Sequence, residues 1–234
     1  MNNIEIVVSR YSENLDWLSQ EPFSKYPVTI YNKGNHDNFN HSSNIIKVVN
    51  LPNIGLEVHS FLYHIINNYD NLSDITAFFQ GSISSSVDKY RRARDVVIES
   101  ENRNTSILSC PILIHNYFDL TNFTIDYHPF SNEINRTEGS NLTHPCKIRP
   151  FGKWFNEIFN KWHSTENGDV TSLNNISWNH VFSVKREHIL RKPKEYYEYL
   201  LSFVEEGLQP EAVHYFERAW ALVFYPLNNE NFIR

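Results

Sequence analysis

The residues best suited to chemistry are polar groups that directly follow short apolar runs with the composition of buried strands. They fall into three sets: Ser9, Arg10 and Tyr11; Asn32 and Lys33; Gln80, Gly81 and Ser82. Hydroxyl, amide and cationic groups of these types can together hold a phosphorylated ligand such as a nucleotide. Polar residues are also common where ordinary loops begin, so the pattern alone leaves both a binding site and plain loop polarity open.

Two predicted helices add acids and histidines that could take part in proton transfer. Glu57 lies in the first turn of a helix that Gly55 opens, where a carboxylate also suits the helix dipole. A second predicted helix carries an acid, a histidine and an arginine at three- and four-residue spacing: Glu211, His214, Glu217 and Arg218. This face could be a catalytic patch or a surface ion-pair ladder. The apolar residues around it favour a packed helix whose charged groups face a cleft.

Two other clusters are weaker candidates. His59 and His64 are five residues apart, which does not place two ligands on one helical face, so we predict no metal site there. A basic cluster between Lys89 and Arg94 could contact a diphosphate or could be a solvated helix face.

The segments that must position these groups alternate between strand and helix. Apolar and β-branched runs predict strands at 4–9, 28–31, 45–49, 75–79, 107–115 and 177–184. Apolar residues at three- and four-residue spacing predict helices at 55–66, 87–99, 151–162, 193–205 and 210–224. The alternation indicates an α/β fold with a mostly parallel central sheet flanked by helices. In such a sheet the polar strand ends meet at one edge, where ligands bind.

Composition limits the classes of function. The chain has 234 residues and a net charge of −6, with no internal repeat or clear linker, so we expect one domain that does not bind nucleic acid. It has no run of 18 apolar residues and no signal-peptide pattern, so we expect no membrane span and no secretion. Cys110 and Cys146 match no metal or redox motif and are interpreted as thiols of a cytoplasmic protein.

Segments over nearly the whole chain resemble a largely uncharacterised, glycosyltransferase-like family found in large DNA viruses, fungi, algae and bacteria. A chlorovirus xylosyltransferase that helps build the capsid glycan is similar to this family as well. The matching segments are VVSRYSENLDWL (7–18), YNKG (31–34), NIGLE (53–57) followed by FLYHI (61–65), NNYDNLSD (67–74), FFQG (78–81), PFGKWF (150–155), FSVKREHIL (182–190) and PEAVHYFERAW (210–220). Each segment is short, and their specificity comes from their number and order. One departure is Leu56, where the family often has Arg.

The resemblance implies a GT-A-like fold, a single nucleotide-sugar-binding domain over 1–234. Its nucleotide-binding half would cover about 1–100 and its acceptor and catalytic half about 101–234. In that fold the strand that ends at Gln80 and Gly81 occupies the place of the usual Asp-x-Asp metal motif, and no acid stands there. We therefore expect no metal cofactor, or at most a weak Mn²⁺ or Mg²⁺ held by the diphosphate. Cationic side chains would neutralise the leaving diphosphate instead, and the candidates are Arg10, Lys33 and Arg91.

The implied activity is transfer of a sugar from a UDP-sugar donor to a glycan hydroxyl, with inversion of configuration at the anomeric carbon. The similarity to the viral enzyme suggests xylose as the sugar. Such a transfer needs a carboxylate that accepts the proton of the attacking hydroxyl. Glu217 is our first candidate and Glu211 the second, with His214 and Arg218 orienting the acid or the leaving group. Glu57 is expected to hold hydroxyls of the donor sugar, and Gly55 is grouped with the substrate-binding residues. Two alternatives stay open: a non-catalytic nucleotide-sugar or carbohydrate-binding module, and a sugar-phosphate hydrolase using Glu57 or Glu217.

Overall fold

A computed structural model describes residues 3–110, 120–127, 143–163 and 177–234 of the chain. The strands are β1 (Ile4–Arg10), β2 (Val28–Asn32), β3 (Ile45–Asn50), β4 (Ile75–Gln80), β5 (Ile107–Ser109), β6 (Thr143–His144), β7 (Phe182–Lys185), β8 (Gln209–Pro210) and β9 (Phe232–Ile233). The helices are α1 (Leu56–Asn67), α2 (Val87–Arg103), α3 (Phe151–Trp162), α4 (Arg186–Ile189), α5 (Lys194–Leu201) and α6 (Glu211–Val223).

Seven strands form one sheet in the order β3-β2-β1-β4-β7-β5-β9, and β6 pairs with β8 separately. The first four strands of that order are parallel to one another, whereas β7 runs antiparallel to β4 and β5. The predicted α/β fold with a mostly parallel sheet is therefore confirmed. The chain builds outward from β1 to β3 and then crosses back to place β4 on the other side of β1. This reversal is a topological switch point, where open α/β sheets bind ligands.

Helices cover both faces of the sheet, because alternate residues of the central strands point to opposite sides. Val7, Phe78 and Phe182 pack with apolar residues of α1, α3, α5 and α6 in one core cluster. Val8 and Phe79 pack on the other face with α2 and the short turns after β1. This double burial explains why the central strands read as nearly continuous apolar runs. Among the described residues, no helix is both long enough and apolar enough to cross a membrane.

Two predicted strands have different limits in the structure. The strand expected at 107–115 is β5, which ends at Ser109, and residues 111–115 of that prediction lie outside the described ranges. The strand expected from Ser177 begins only at Phe182. Residues 178–180 form a 3₁₀ turn in which Asn179 and His180 have φ values of +60° and +51°. A left-handed backbone does not continue a β-ladder, so the early start of that strand was wrong.

The start of α1 is fixed by a close backbone contact at Gly55. Its φ is +59°, and a Cβ at this position would lie 2.2 Å from the carbonyl oxygen of Val204. The Gly55 N–H also donates a hydrogen bond of 3.0 Å to the carbonyl of Gly207. Gly55 therefore places α1 against the segment after α5, and a structural role accounts for it better than the predicted substrate contact.

Candidate functional site

A cleft of about 180 Å³ lies at the carboxyl ends of β1, β2 and β4, at the switch point of the sheet. The strand register brings these ends together, since Ser9 pairs with Gln80 and Arg10 with Asn32. The lining residues are Ser9, Arg10, Tyr11, Glu13, Lys33, Asn53, Leu56, Glu57, Gln80 and Ser82. The structure thus brings most of the predicted strand-end residues into one cleft, and α1 adds Glu57 to them.

Lys33 is a buried cation in the wall of this cleft. Only 6% of the residue is exposed, and its Nζ donates hydrogen bonds to the carbonyls of Ile54, at 2.5 Å, and Leu56. Burial lowers the pKa of Lys33 to about 7, although nearby Glu57 favours the charged form. An ammonium group has three donors, so two carbonyls leave one for a ligand. An anion in the cleft would stabilise the charged form of Lys33.

Arg10 lines the cleft, but its guanidinium forms hydrogen bonds with other groups of the protein. Its Nε donates to the carbonyl of Glu13 at 2.9 Å, and Nη1 donates to Asn32 Oδ1 at 2.8 Å and to the carbonyl of His36 at 2.7 Å. The guanidinium also lies 4.7 Å from the ring centre of Phe39. These contacts make Arg10 and Asn32 supports of the loop after β2. The same contacts make Arg10 less suited to the predicted phosphate contact. Asn32 lies outside the cleft lining.

Gln80 joins α1 and α2 across the end of β4. Its Nε2 donates to Glu57 Oε1 at 2.5 Å, while its Oε1 accepts hydrogen bonds from Ser82 Oγ at 3.3 Å and from Lys89 Nζ at 3.4 Å. Lys89 is thus the member of the basic cluster that contacts a residue of the cleft. Arg91, the predicted diphosphate contact, instead forms exposed ion pairs along α2 with Asp88 at 2.9 Å and Asp95 at 3.8 Å.

The residues at the end of β4 do not fit a divalent cation. The side-chain oxygen of Gln80 already faces an ammonium group, and the carbonyl of Gly81 accepts a hydrogen bond of 3.2 Å from Trp17 Nε1. Of the two acids in the lining, Glu13 accepts backbone N–H groups of Tyr11 and Ser12 at 2.6 and 3.1 Å, and Glu57 Oε1 accepts the amide of Gln80 at 2.5 Å. Hard cations need several oxygen ligands, which these groups do not offer. In the described part of the chain, no three His, Cys, Asp or Glu residues are grouped to hold a metal ion. Metal independence of the activity stays a prediction.

Behind the cleft, two carboxylates meet at His180, a residue that the sequence analysis missed. His180 Nε2 lies 3.1 Å from Glu57 Oε1 and 3.9 Å from Glu217 Oε1, and its Nδ1 accepts a hydrogen bond of 2.7 Å from Trp220 Nε1. His180 is buried and has a left-handed backbone. A non-glycine residue held in that conformation is a recognised sign of a functional site. No spacing pattern in the sequence indicates this conformation.

Glu217 is close to the site but does not line the cleft. Burial opposes its ionisation, but a hydrogen bond with His214 and electrostatic interactions with the nearby His180, His214 and Arg218 side chains lower the pKa of Glu217 to about 2. Its Oε1 also accepts the backbone N–H of Asn179 at 3.3 Å. Glu217 therefore stays ionised at neutral pH and holds the turn that carries His180.

The remaining predicted site residues of α6 lie outside the cleft lining. Glu211 is fully buried and accepts the backbone N–H groups of Ile125 at 2.8 Å and Cys146 at 2.7 Å, besides an ion pair of 2.8 Å with Arg149. These contacts give Glu211 a structural role, because one carboxylate ties together three separate segments.

Arg218 and His214 pack on the other side of Glu217. Arg218 donates to the carbonyl of His214 at 2.6 Å, and its guanidinium stacks 3.7 Å from the ring centre of Phe123. His214 Nδ1 lies 3.8 Å from Glu217 Oε2, and its Nε2 lies 3.1 Å from Gln209 Nε2. Both residues thus support Glu217 instead of reaching the cleft.

Comparison with known proteins identifies the family but gives no function. The searches of curated proteins and of solved structures returned no match. The model of a family described as a protein of unknown function, DUF3431, matches residues 6–231. Because this match covers almost the entire sequence, the chain belongs to the DUF3431 family.

Proposed function

We propose that the chain is a glycosyltransferase that moves a sugar from a UDP-sugar donor to a glycan hydroxyl with inversion at the anomeric carbon. The observation that carries this proposal is the cleft at the switch point, where buried Lys33 and the Glu57 carboxylate lie side by side. Nucleotides bind at such switch points, and diphosphates need nearby cations. The resemblance to a glycosyltransferase-like family supports the same activity and the GT-A-like fold.

Two lysines at the cleft suit the leaving diphosphate. Lys33 lies in the wall, and Lys89 reaches Gln80 from α2. Fixed cations beside a departing diphosphate stabilise the charge that develops in the transition state. Half-exposed Tyr11 at the rim offers an aromatic surface to the nucleotide. The division into a nucleotide-binding and an acceptor half, the cytoplasmic location and xylose as donor sugar stay predictions.

The activity can be tested with a panel of UDP- and GDP-sugars, including UDP-xylose, with and without a mixture of glycan acceptors. We expect release of UDP from one UDP-sugar only when an acceptor is present. Thermal stabilisation by a UDP-sugar without turnover would indicate a binding module, and equal release without acceptor would indicate a hydrolase. Neither stabilisation nor turnover with any donor would contradict the proposal.

Chelation gives a second prediction for this activity. Because the residues at the end of β4 do not fit a divalent cation, we expect turnover in excess EDTA to stay within about twofold of the untreated rate. Turnover is measured in EDTA and again after Mn²⁺ or Mg²⁺ is added back. Loss of activity with EDTA and recovery with Mn²⁺ would show that a metal held mainly by the diphosphate takes part, and Asp88 would be the first ligand to test.

A further inference from the structure

Glu57 lines the cleft, and one of its carboxylate oxygens is fixed by the protein. Oε1 accepts a hydrogen bond from Gln80 Nε2 at 2.5 Å and lies 3.1 Å from His180 Nε2. Within the part of the chain that the structure describes, Oε2 accepts no hydrogen bond. The other acid of the lining, Glu13, is bonded to two backbone N–H groups. Oε2 of Glu57 is therefore the carboxylate oxygen best placed to receive a proton from a ligand.

The tautomer of His180 is set by Trp220. An indole N–H can only donate, so the bond of 2.7 Å from Trp220 Nε1 requires a lone pair on His180 Nδ1. The proton of the neutral ring is then on Nε2, the nitrogen that lies 3.1 Å from Glu57 Oε1. Trp220 is itself fully buried, with its ring centre 4.6 Å from that of Phe182. Trp220, a buried core residue, thus orients the ring of His180 by a hydrogen bond, and His180 in turn contacts the carboxylate of Glu57.

We propose that Glu57, and not Glu217, accepts the proton of the acceptor hydroxyl, and that His180 is the positioning residue that orients it. This inference rests on the proposed transferase activity. The acceptor oxygen forms a bond to the anomeric carbon as the bond from that carbon to the diphosphate oxygen breaks. The electron pair of the broken bond leaves with UDP, and the hydroxyl proton moves to Glu57 Oε2. The protonated acid then loses its proton to water.

Glu217 is less suited to this task for two reasons. It does not line the cleft, whereas Glu57 does, and His180 Nε2 lies nearer to Glu57 Oε1 than to Glu217 Oε1, at 3.1 against 3.9 Å. Its neighbours also lower its pKa to about 2, against the burial that opposes ionisation, and such a carboxylate accepts a proton poorly at neutral pH.

The test compares Glu57→Gln with Glu217→Gln and follows both turnover and affinity for UDP. We expect Glu57→Gln to lower kcat by about 10²-fold or more, as for loss of a general base, with UDP affinity within about threefold of wild type. Glu57→Asp keeps a carboxylate and should recover at least about tenfold of that loss. Glu217→Gln should lower kcat by less than about tenfold, because it removes only a support of the His180 turn.

The role of His180 is tested through Trp220→Phe, which removes the indole donor but keeps a ring. We expect kcat to fall about three- to tenfold with UDP affinity unchanged, because the ring can then take the other tautomer and no longer orients Glu57. Trp154→Phe is the matched control: Trp154 is fully buried in the same core, and its Nε1 has no hydrogen-bond partner among the described residues. Trp154→Phe should leave both kcat and UDP affinity unchanged.

Several results would overturn this inference. If wild type transfers sugar and Glu57→Gln is equally active, the base is elsewhere. If Glu57→Gln loses UDP binding together with turnover, Glu57 binds the donor or stabilises the fold and is not the base. Equal kcat values for Trp220→Phe and Trp154→Phe would show that His180 has no positioning role. A wild type that transfers no sugar would instead overturn the proposed function, and this inference with it.

Discussion

Replacing Lys33 with Met should weaken the binding of UDP by about 10²- to 10³-fold, in the range found when one partner of a buried charge pair is truncated. Lys33 lies in the cleft wall with its ammonium group held by the carbonyls of Ile54 and Leu56. Met has a similar length and keeps the packing, so the change removes mainly the charge and the donors. Since Lys33 is so little exposed, solvent would screen its attraction for a diphosphate only weakly.

The same residue predicts how UDP affinity depends on pH. Burial lowers the pKa of free Lys33 to about 7, and a bound diphosphate would raise it again. The complex therefore holds more protons than the free protein above pH 7, so affinity falls as pH rises. The terminal phosphate of UDP, with a pKa of about 6, is already ionised in this range. His59 stays neutral, because burial and the charge of Lys33 lower its pKa to about 4.

Calorimetric titration with UDP between pH 7 and 9 measures both effects. We expect wild-type affinity to fall by about tenfold or more over this range, as the charge on free Lys33 is lost. Lys33→Met should bind weakly with little pH dependence. Lys47→Met, which removes an exposed lysine on the edge strand β3, should behave as wild type. Unchanged UDP affinity in Lys33→Met would place the diphosphate elsewhere.

Replacing Glu211 with Gln should destabilise the fold by about 3 kcal/mol, at the lower end of the range for breaking a buried ion pair, because Arg149 is partly exposed. The carboxylate of Glu211 is fully buried and accepts hydrogen bonds from two backbone N–H groups as well as pairing with Arg149. A Gln side chain has one oxygen and an NH₂ group, so it would turn a donor toward one of the three donors that now surround it.

Urea unfolding of Glu211→Gln gives the free-energy change directly. The control is Glu206→Gln, because Glu206 pairs with Lys147 at 2.6 Å on an exposed surface. Pairs of this kind contribute about 0–1 kcal/mol, so we expect little change for the control. A Glu211→Gln protein with unchanged stability and lost turnover would contradict the structural role and restore Glu211 as a candidate base.

The fold was predictable where local pattern and burial agree. β1 and β4 are apolar on both faces, and α1 has one apolar stripe, so their type and order follow from spacing alone. The meeting of Ser9, Lys33 and Gln80 also follows, because parallel strand ends share an edge of the sheet. The position of the switch point could not be predicted, because it depends on the order of the strands in the sheet. The same predicted elements are compatible with several strand orders.

The roles of individual residues were less predictable, because they depend on partners that are distant in sequence. Arg10 and Arg91 are equally basic in the sequence, yet one holds loop carbonyls and the other pairs with acids of its own helix. His180 reaches Glu57 only through a left-handed turn, and residues 57 and 180 share no sequence pattern. Glu217 lies 3.9 Å from His180 but outside the cleft lining, and the spacing of residues along a helix cannot predict which of its acids reaches a cleft.

The most direct test of the central proposal is a crystal structure of the protein with UDP bound. We expect the diphosphate to lie in the cleft at the ends of β1, β2 and β4, with a phosphate oxygen about 3 Å from Lys33 Nζ, the distance of a charge-assisted hydrogen bond. UDP bound at another surface, out of reach of Lys33, Gln80 and Ser9, would contradict it.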